Sequence, residues 1–372
     1  TVRVELRAIG LNFRYIIDAL GLFPGNAGPL GGDAAGVVTE VGDGVTEFVK
    51  GERVFGLMDA VSEVVVDVSH VVRIPDGCSF EQATSFPVAF LTVVHGLREL
   101  GELKAGQSVL IHSAAGGVGM VAVQFAQHLG AEVFATASPT KWDCLREMGI
   151  SDDHIASSRD EQFLEKFTEV TGGRGVDVVL NSLAFELVDA GLALVAQGGR
   201  FLEMGKTDIR DPADVAAKFP NITYLAFDIM PFTVNQPDHL KQILLEAARW
   251  VAQGDLKPLP FVGCEWEKAT DAFRYMALGK HVGKVVLTHN AAQLAASNRL
   301  PSVESDIEQV LVDARSTDSN KVAAAHQGVG RVLGQIQDWL SSDQCHQSSL
   351  VVMTQNAIAA KEGDDATEIG GH

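Results

Sequence analysis

The sequence predicts an α/β fold in which a doubly wound parallel sheet is inserted into a smaller β-rich unit. Between residues 101 and 255, strand-like apolar runs alternate with helical segments, a pattern typical of a parallel sheet covered by helices on both faces. Residues 1–100 contain short strand-like runs between glycine-containing turns, and residues 256–290 return to that pattern. We therefore expect residues 256–290 to complete the β-rich unit.

The individual elements follow from local patterns. In the first unit, alternating runs predict strands over 37–42 and 64–68. The inserted unit has predicted strands at 108–112, 132–136, 176–180 and 200–204, and predicted helices at 118–129, 161–171, 183–196 and 237–253. A helix over 266–278 and a closing strand over 284–288 return the chain to the first unit.

Residues 291–372 have a different character and predict a linker followed by a small partial α/β segment. The polar stretch 290–306 reads as the linker. A strand over 310–313, a long helix over 321–340 and a second strand over 350–354 follow. The chain also begins inside an alternating apolar pattern at Thr1, so we expect it to be a piece of a longer polypeptide.

Composition excludes several classes of function. The 372 residues include 29 Lys and Arg against 48 Asp and Glu, so the net charge is −19. Such an acidic chain should repel nucleic acid and should lack a polybasic membrane attachment. No apolar run is long enough to span a bilayer. The four cysteines are widely spaced without a CxxC pair, which predicts reduced thiols in the cytoplasm and no metal site.

The sharpest local signal is a glycine-rich turn between a predicted strand and a predicted helix. Ala114, Gly116 and Gly119 fill the small-residue positions of the (Gly/Ala)-x-Gly-x-x-Gly dinucleotide motif, and Gly117 and Val118 lie within it. Small residues let the backbone approach a pyrophosphate, and the helix N-terminus supplies N–H donors and partial positive charge. The alternative is a turn that only packs the helix on the strand.

The choice between NAD and NADP depends on the end of the next strand. An NAD site would place an acidic residue there to bind the ribose 2′-hydroxyl. This sequence instead has Ser138, followed by Lys141 and later by Arg159. A hydroxyl and two cations suit a 2′-phosphate, so we expect NADPH as the cofactor. The alternative is that both cations are ordinary surface charges.

Ten stretches of the chain match the text of a known family: 10–14, 31–41, 51–54, 73–77, 112–124, 135–142, 171–182, 198–212, 226–228 and 281–288. With them the chain resembles the enoyl reductase domains of modular polyketide synthases, in the medium-chain dehydrogenase/reductase superfamily. The resemblance covers about residues 1–290 and implies a GroES-like β-rich domain (1–100 and 256–290) with an inserted Rossmann domain (101–255).

Zinc-containing alcohol dehydrogenases of that superfamily carry a Gly-His-Glu motif. Here the corresponding text is Gly31-Gly32-Asp33, and Asn12 stands where a cysteine ligand would be. The resemblance therefore implies a zinc-free enzyme. The tail resembles the structural, non-catalytic half of a ketoreductase domain, which in most such modules precedes the reductase, so the domain order of the parent protein stays open.

The resemblance also implies a reaction and its residues. An enoyl reductase of this kind transfers hydride from NADPH to the β-carbon of an α,β-unsaturated thioester, and the α-carbon is then protonated. Lys206 is implied as proton donor or enolate stabiliser and Asp228 as its acidic partner; a surface ion pair is the alternative. Asn181, Ser182 and Gly205 are implied cofactor contacts.

Two positions bear on the substrate. Asn12 lies in the predicted substrate-side loop, and Phe23 stands where many relatives have a tyrosine associated with donating the α-proton. Because phenylalanine has no acidic hydrogen, we expect Lys206 or a water to protonate the product. Tyr15 is a candidate substitute donor, with local packing as the alternative.

The implied partners are an acyl carrier protein with a phosphopantetheine-tethered substrate, and ketoreductase and dehydratase domains of the same polypeptide. Two other functions stay open at this point: a free-standing zinc-free quinone oxidoreductase, and a non-catalytic structural module of a megasynthase. A variant that closes a ring reductively is also compatible with the sequence.

Overall fold

The computed structural model describes residues 1–19, 31–206, 208–289, 291–301, 308–313 and 348–353. The chain divides into two compact units, Thr1–Leu300 and Pro301–His372. Within the described ranges, every helix is too short or too polar to cross a membrane.

The first unit contains thirteen strands among its described residues. They are β1 (Val2–Leu11), β2 (Gly31–Val41), β3 (Arg53–Asp59), β4 (Glu63–Val66), β5 (Val71–Arg73), β6 (Ser108–Ile111), β7 (Glu132–Ala137), β8 (Ile155–Ser157), β9 (Val176–Asn181), β10 (Val195–Glu203), β11 (Thr223–Ala226), β12 (Phe261–Cys264) and β13 (Lys284–Thr288).

The α-helices connect these strands, and short 3₁₀ turns and one π-helical segment (Val94–Leu100) supplement them. They are α1 (Phe13–Ala19), α2 (Phe80–Ala83), α3 (Pro87–Val93), α4 (Gly117–Leu129), α5 (Trp142–Glu147), α6 (Gln162–Val170), α7 (Glu186–Ala193), α8 (Pro212–Lys218), α9 (Ile229–Asn235), α10 (Pro237–Gln253) and α11 (Ala269–Ala277).

The β-rich sheet combines strands from both ends of the first unit. Its order is β12-β13-β1-β2-β3-β5, with β4 also paired to β1. Strand β1 alternates as the sequence predicts, since Val2, Val4 and Leu6 are buried while the residues between them are partly exposed. Strand β13 is antiparallel to β1, with Ala8 opposite Thr288. Residues 284–288 therefore lie beside the first strand of the chain.

The second sheet is parallel and has the strand order β11-β10-β9-β6-β7-β8. Successive side chains of β6 lie on opposite faces of the sheet and pack in different hydrophobic clusters. Val109 and Ile111 pack in a cluster with residues of α4 and α10, and Leu110 packs in another with residues of α6 and α7. The sheet is thus covered on both faces, which confirms the predicted α/β fold. The strand order reverses between β6 and β9, so a ligand crevice is expected at their carboxyl ends.

The structure differs from the predicted elements at a few places. Helix α7 is shorter than the predicted 183–196 because the Asn181 side chain binds the backbone of Leu183 in both directions, and Phe185 has a φ of 58°. The helix predicted over 266–278 starts with a 3₁₀ turn before α11. Strand β11 was not predicted, because four residues with mixed exposure give too short a pattern.

The second unit contains a two-stranded parallel sheet of β14 (Glu308–Asp313) and β15 (Ser348–Met353). Both strands correspond to predicted ones. The helix predicted over 321–340 lies outside the described residues.

Candidate active site

The dinucleotide turn joins β6 to α4. Gly116 is the N-cap of α4, and no side chain caps this helix, so the N–H groups of Gly117 and Val118 can serve a ligand. A Cβ on Gly119 would lie 2.5 Å from the Cα of Ala114, and only glycine allows the helix to pack so closely on the turn. This backbone cradle fits the pyrophosphate of a dinucleotide.

The carboxyl ends of β6 and β9 meet beside this cradle. Ser113 has a φ of 53°, and the Ser182 hydroxyl donates to the Ser113 hydroxyl at 2.9 Å. The N–H of Gly283, just before β13, donates to the Ala115 carbonyl at 3.0 Å. The start of β13 is therefore bonded directly to the dinucleotide turn, at the sheet edge where the strand order predicts a ligand crevice.

The cations predicted for a 2′-phosphate lie near each other, and one is engaged by protein. The Lys141 ammonium donates to the carbonyl oxygens of Gly279 and His281. Burial, with a smaller contribution from the nearby Arg159 guanidinium, lowers the pKa of Lys141 to about 8. Arg159 itself is exposed, and Ser138 is partly buried at the end of β7. Two close cations would be stabilised by an anionic ligand.

His281 was not identified from the sequence. Its ring Nδ1 is buried and has no hydrogen-bond partner. Burial, with smaller contributions from Lys141 and Lys284, lowers the pKa of His281 to about 4. Its environment was not readable from the sequence, because it depends on burial and on Lys141, which is 140 positions away along the chain.

Lys206 and Asp228 form an ion pair, as predicted, at the carboxyl edge of the parallel sheet. The Lys206 ammonium donates to the Phe227 carbonyl at 2.8 Å and lies 3.2 Å from a carboxylate oxygen of Asp228. The other carboxylate oxygen of Asp228 accepts the N–H of Met230 and caps α9. These contacts occupy two of the three ammonium donors. The Lys206 side chain is 20% exposed, so a ligand can reach it.

A buried carboxylate lies behind this pair. Glu203 ends β10 and is only 1% exposed. One of its oxygens accepts from the Asn181 amide and the other from the N–H of Gly205, both at 2.6 Å. A Cβ on Gly205 would lie 2.7 Å from an oxygen of the same carboxylate, so a side chain there would displace the Glu203 carboxylate. Asn181 is fully buried, its side chain is bound to Glu203 and Leu183, and its carbonyl accepts from Met204, so the structure does not direct it at a ligand.

The predicted substrate contact Asn12 is part of a buried network at the junction of the two sheets. Its amide donates to Asp33 at 3.0 Å, and its carbonyl oxygen accepts from the Lys284 ammonium at 2.6 Å. Lys284 also pairs with Asp33 at 2.7 Å, and the N–H of Val88 donates to the other oxygen of Asp33. The Asn12 side chain is thus engaged within the protein rather than directed at a ligand.

Tyr15 is a poor substitute proton donor. Its hydroxyl donates to the Gly31 carbonyl, and the residue is 3% exposed. Burial and the nearby Asp33 carboxylate raise the pKa of Tyr15 above its usual value. The packing alternative therefore accounts for Tyr15. Phe23 lies outside the described residues.

In the part of the chain that the structure describes, no three His, Cys, Asp or Glu side chains are grouped so that they could hold a metal ion. Asp33, in the altered Gly-His-Glu position, is instead the partner of Lys284.

A GroES-like sheet, a Rossmann sheet and a dinucleotide cradle between them define an oxidoreductase of the medium-chain dehydrogenase/reductase superfamily. Residues 151–287 match the family described as zinc-binding dehydrogenase. The structure of Escherichia coli quinone oxidoreductase in complex with NADPH is 26% identical to this chain and superposes with a TM-score of 0.70. The match covers 77% of this chain and 91% of the quinone oxidoreductase chain.

Closer similarity gives the family. The CurK enoyl reductase structure is 41% identical to this chain and has a TM-score of 0.73. The match covers 77% of this chain and 90% of the CurK enoyl reductase chain. The phenolphthiocerol synthesis polyketide synthase Pks15/1 of Mycobacterium bovis is 51% identical over 292 residues, 78% of this chain. The chain belongs to the enoyl reductases of modular polyketide synthases. It spans only 14% of the length of that curated relative.

The C-terminal part matches a second polyketide synthase family. Residues 264–371 match the family of the Rossmann fold domain of the polyketide synthase extender module SpnB. This match agrees with the predicted small α/β tail.

Proposed function

We propose that this chain catalyses the NADPH-dependent reduction of an α,β-unsaturated acyl thioester carried on an acyl carrier protein. The cofactor, when bound, supplies hydride to the β-carbon of the substrate. The α-carbon then takes up a proton. The observation that carries the proposal is the Lys206–Asp228 pair, held at the carboxyl edge of the parallel sheet two strands from the dinucleotide turn.

Lys206 has the position and the chemistry for the second half of the reaction. Its ammonium can stabilise the negative charge of an enolate and can donate the proton to the α-carbon. Asp228 orients that ammonium, and the cap that Asp228 places on α9 fixes the carboxylate in turn. Because Tyr15 is buried and engaged, Lys206 or a water that it orders is the proposed donor.

The preference for NADPH is supported by the charges near the end of β7. Lys141 and Arg159 interact electrostatically, and both would be stabilised by a 2′-phosphate, with Ser138 as a further hydrogen-bond donor. Gly117, Val118 and Gly119 would hold the pyrophosphate through backbone N–H groups. The N–H of Gly116 donates to the Ser113 carbonyl, so Gly116 would contribute by letting the backbone approach the ligand. Ser182 and Gly205 would flank the nicotinamide end.

The partners follow from the family. Polyketide synthases carry their intermediates on acyl carrier proteins, so the proposed substrate is a phosphopantetheine thioester. Ketoreductase and dehydratase domains of the same polypeptide would supply the enoyl group, since ketone reduction and dehydration must precede alkene reduction.

The test is reduction of a crotonyl pantetheine thioester with NADPH deuterated at the transferred position. We expect deuterium at the β-carbon, and a Lys206→Ala variant should lose about 100-fold or more in kcat with little change in NADPH affinity. Lys218→Ala is the matched control, because that side chain is 63% exposed and forms a surface ion pair with Asp189.

Three results would contradict the proposal. Turnover of quinones without turnover of the thioester would indicate a quinone oxidoreductase. Failure to bind NADPH in a fluorescence titration would indicate a structural module. A cyclopropane product from a halogenated enoyl thioester, with no simple reduction, would indicate reductive ring closure.

A further inference from the structure

Glu203 links the two parts of the site that the proposed function uses. It lies at the end of β10, three residues before Lys206, and its two carboxylate oxygens are divided between separate segments. One oxygen binds the Asn181 side chain at the end of β9, next to Ser182. The other binds the N–H of Gly205, in the turn that carries Lys206.

We infer that Glu203 is a positioning residue that holds the end of β9 and the Lys206 turn in register, and that it does so only in its ionised form. The inference rests on the proposed function for its effect on catalysis. Its effect on the turn itself does not depend on any reaction.

The requirement for the ionised form follows from the donors. The Asn181 amide and the Gly205 N–H each donate a proton to Glu203, so both oxygens must accept. A protonated carboxyl carries a hydrogen on one oxygen, which would then face a donor. The Asn181 carbonyl oxygen is already bound to the N–H of Leu183, so a simple reversal of that amide would break another contact.

The surroundings place this ionisation near neutrality. Burial raises the pKa of Glu203 to about 7, while the hydrogen bonds from Asn181 and Gly205 oppose the rise. Of the charged groups on the following loop, Asp208 raises the pKa and Lys206 lowers it. Tyr224 on β11 also interacts electrostatically with Glu203. If the turn is released while Glu203 stays buried, the two hydrogen bonds that lower its pKa are lost and that pKa rises further. The released turn then binds the proton more tightly than the held turn, so acidification favours release as the pH falls through about 7.

Hydrogen–deuterium exchange tests the structural part without any ligand. Protection factors for a peptide containing Gly205, corrected for intrinsic exchange, are measured from pH 8.5 to pH 5.5. We expect protection to fall about tenfold or more on the acid side, with a midpoint near 7. A Glu203→Gln variant should have low protection at pH 8 and no such step. Unchanged protection across this range in the wild type would overturn the inference.

A second variant shows whether Glu203 itself titrates. Asp208→Asn removes a negative charge that raises the pKa of Glu203, so it should move the step to lower pH and leave the plateau unchanged. This variant decides the matter even if Glu203→Gln fails to fold. A step that stays at the wild-type pH in Asp208→Asn would assign it to another group.

The kinetic part uses the pH profile of kcat/KM for the crotonyl thioester. The wild type should lose about tenfold per pH unit below the midpoint, and the Asp208→Asn profile should shift with its exchange step. An exchange step with no matching kinetic limb in an active enzyme would overturn the positioning role. A wild type with the exchange step but no enoyl reduction at any pH would refute the proposed function, while the step would still support the role of Glu203 in holding the turn.

Discussion

Replacing Lys284 with methionine should destabilise the first unit by about 3–5 kcal/mol, the usual cost of breaking a buried ion pair on one side. The Lys284 ammonium lies 2.7 Å from Asp33 and 2.6 Å from the Asn12 carbonyl oxygen, and the two charged side chains are 5% and 0% exposed. Methionine keeps most of the volume but leaves the Asp33 carboxylate buried without its cation. The remaining donors, the Asn12 amide and the Val88 N–H, are neutral and cannot replace it.

The assay is urea unfolding at pH 7, followed by tryptophan fluorescence, for Lys284→Met, Asp33→Asn and the double variant. The double variant should be less destabilised than Lys284→Met alone, because no charge is then left unpaired. Lys218→Met, on an exposed side chain, should stay within about 0.5 kcal/mol of the wild type. A loss below about 1 kcal/mol for Lys284→Met, or a double variant with the sum of both losses, would refute the reasoning.

Three further predictions concern the cofactor site. Gly119→Ala should lower the thermal unfolding midpoint and abolish NADPH binding in a fluorescence titration, because the added Cβ would lie 2.5 Å from the Ala114 Cα. The control for stability is Gly117→Ala, which should unfold like the wild type because its Cβ would lie 3.6 Å from the nearest atom. NADPH binding should take up protons near pH 8, because the pKa of Lys141 lies near 8 in the free protein and a phosphate favours its charged form. NADPH affinity should accordingly weaken as the pH rises through 8. Calorimetry in two buffers of different ionisation enthalpy measures the proton uptake, and binding of NADH should show none. Arg159→Ala should weaken NADPH at least about tenfold and leave NADH unchanged; equal losses for both cofactors would contradict the 2′-phosphate assignment.

Local features of the fold and site were readable from the sequence. The alternation of β1, the strand–turn–helix context of Gly116 and the length of α10 each depend on neighbouring residues alone, and the structure shows them as expected. The pairing of Lys206 with Asp228 came from the family resemblance, since nothing in the spacing of the two residues implies contact.

Features that depend on distant partners were not readable. Lys284 and Asn12 are separated by 272 positions, and only the sheet pairing of β13 with β1 brings them together. Glu203 was not predicted because an acidic residue at a strand end is unremarkable until its burial is known. Lys141 was predicted as a phosphate ligand, but its contact with the His281 carbonyl could not be foreseen from residue types.

The pairing of β1 with β13 has a consequence for the nascent chain. Ala8 meets Thr288 across the sheet, so the second half of β1 has an open edge until about 280 more residues have left the ribosome. At a synthesis rate of about 5–20 residues per second, that delay is on the order of tens of seconds. The strands from β6 to β11 are contiguous and can assemble during this interval. The parallel sheet is therefore expected to form first during translation, and the β-rich sheet is completed last, when β13 pairs with β1.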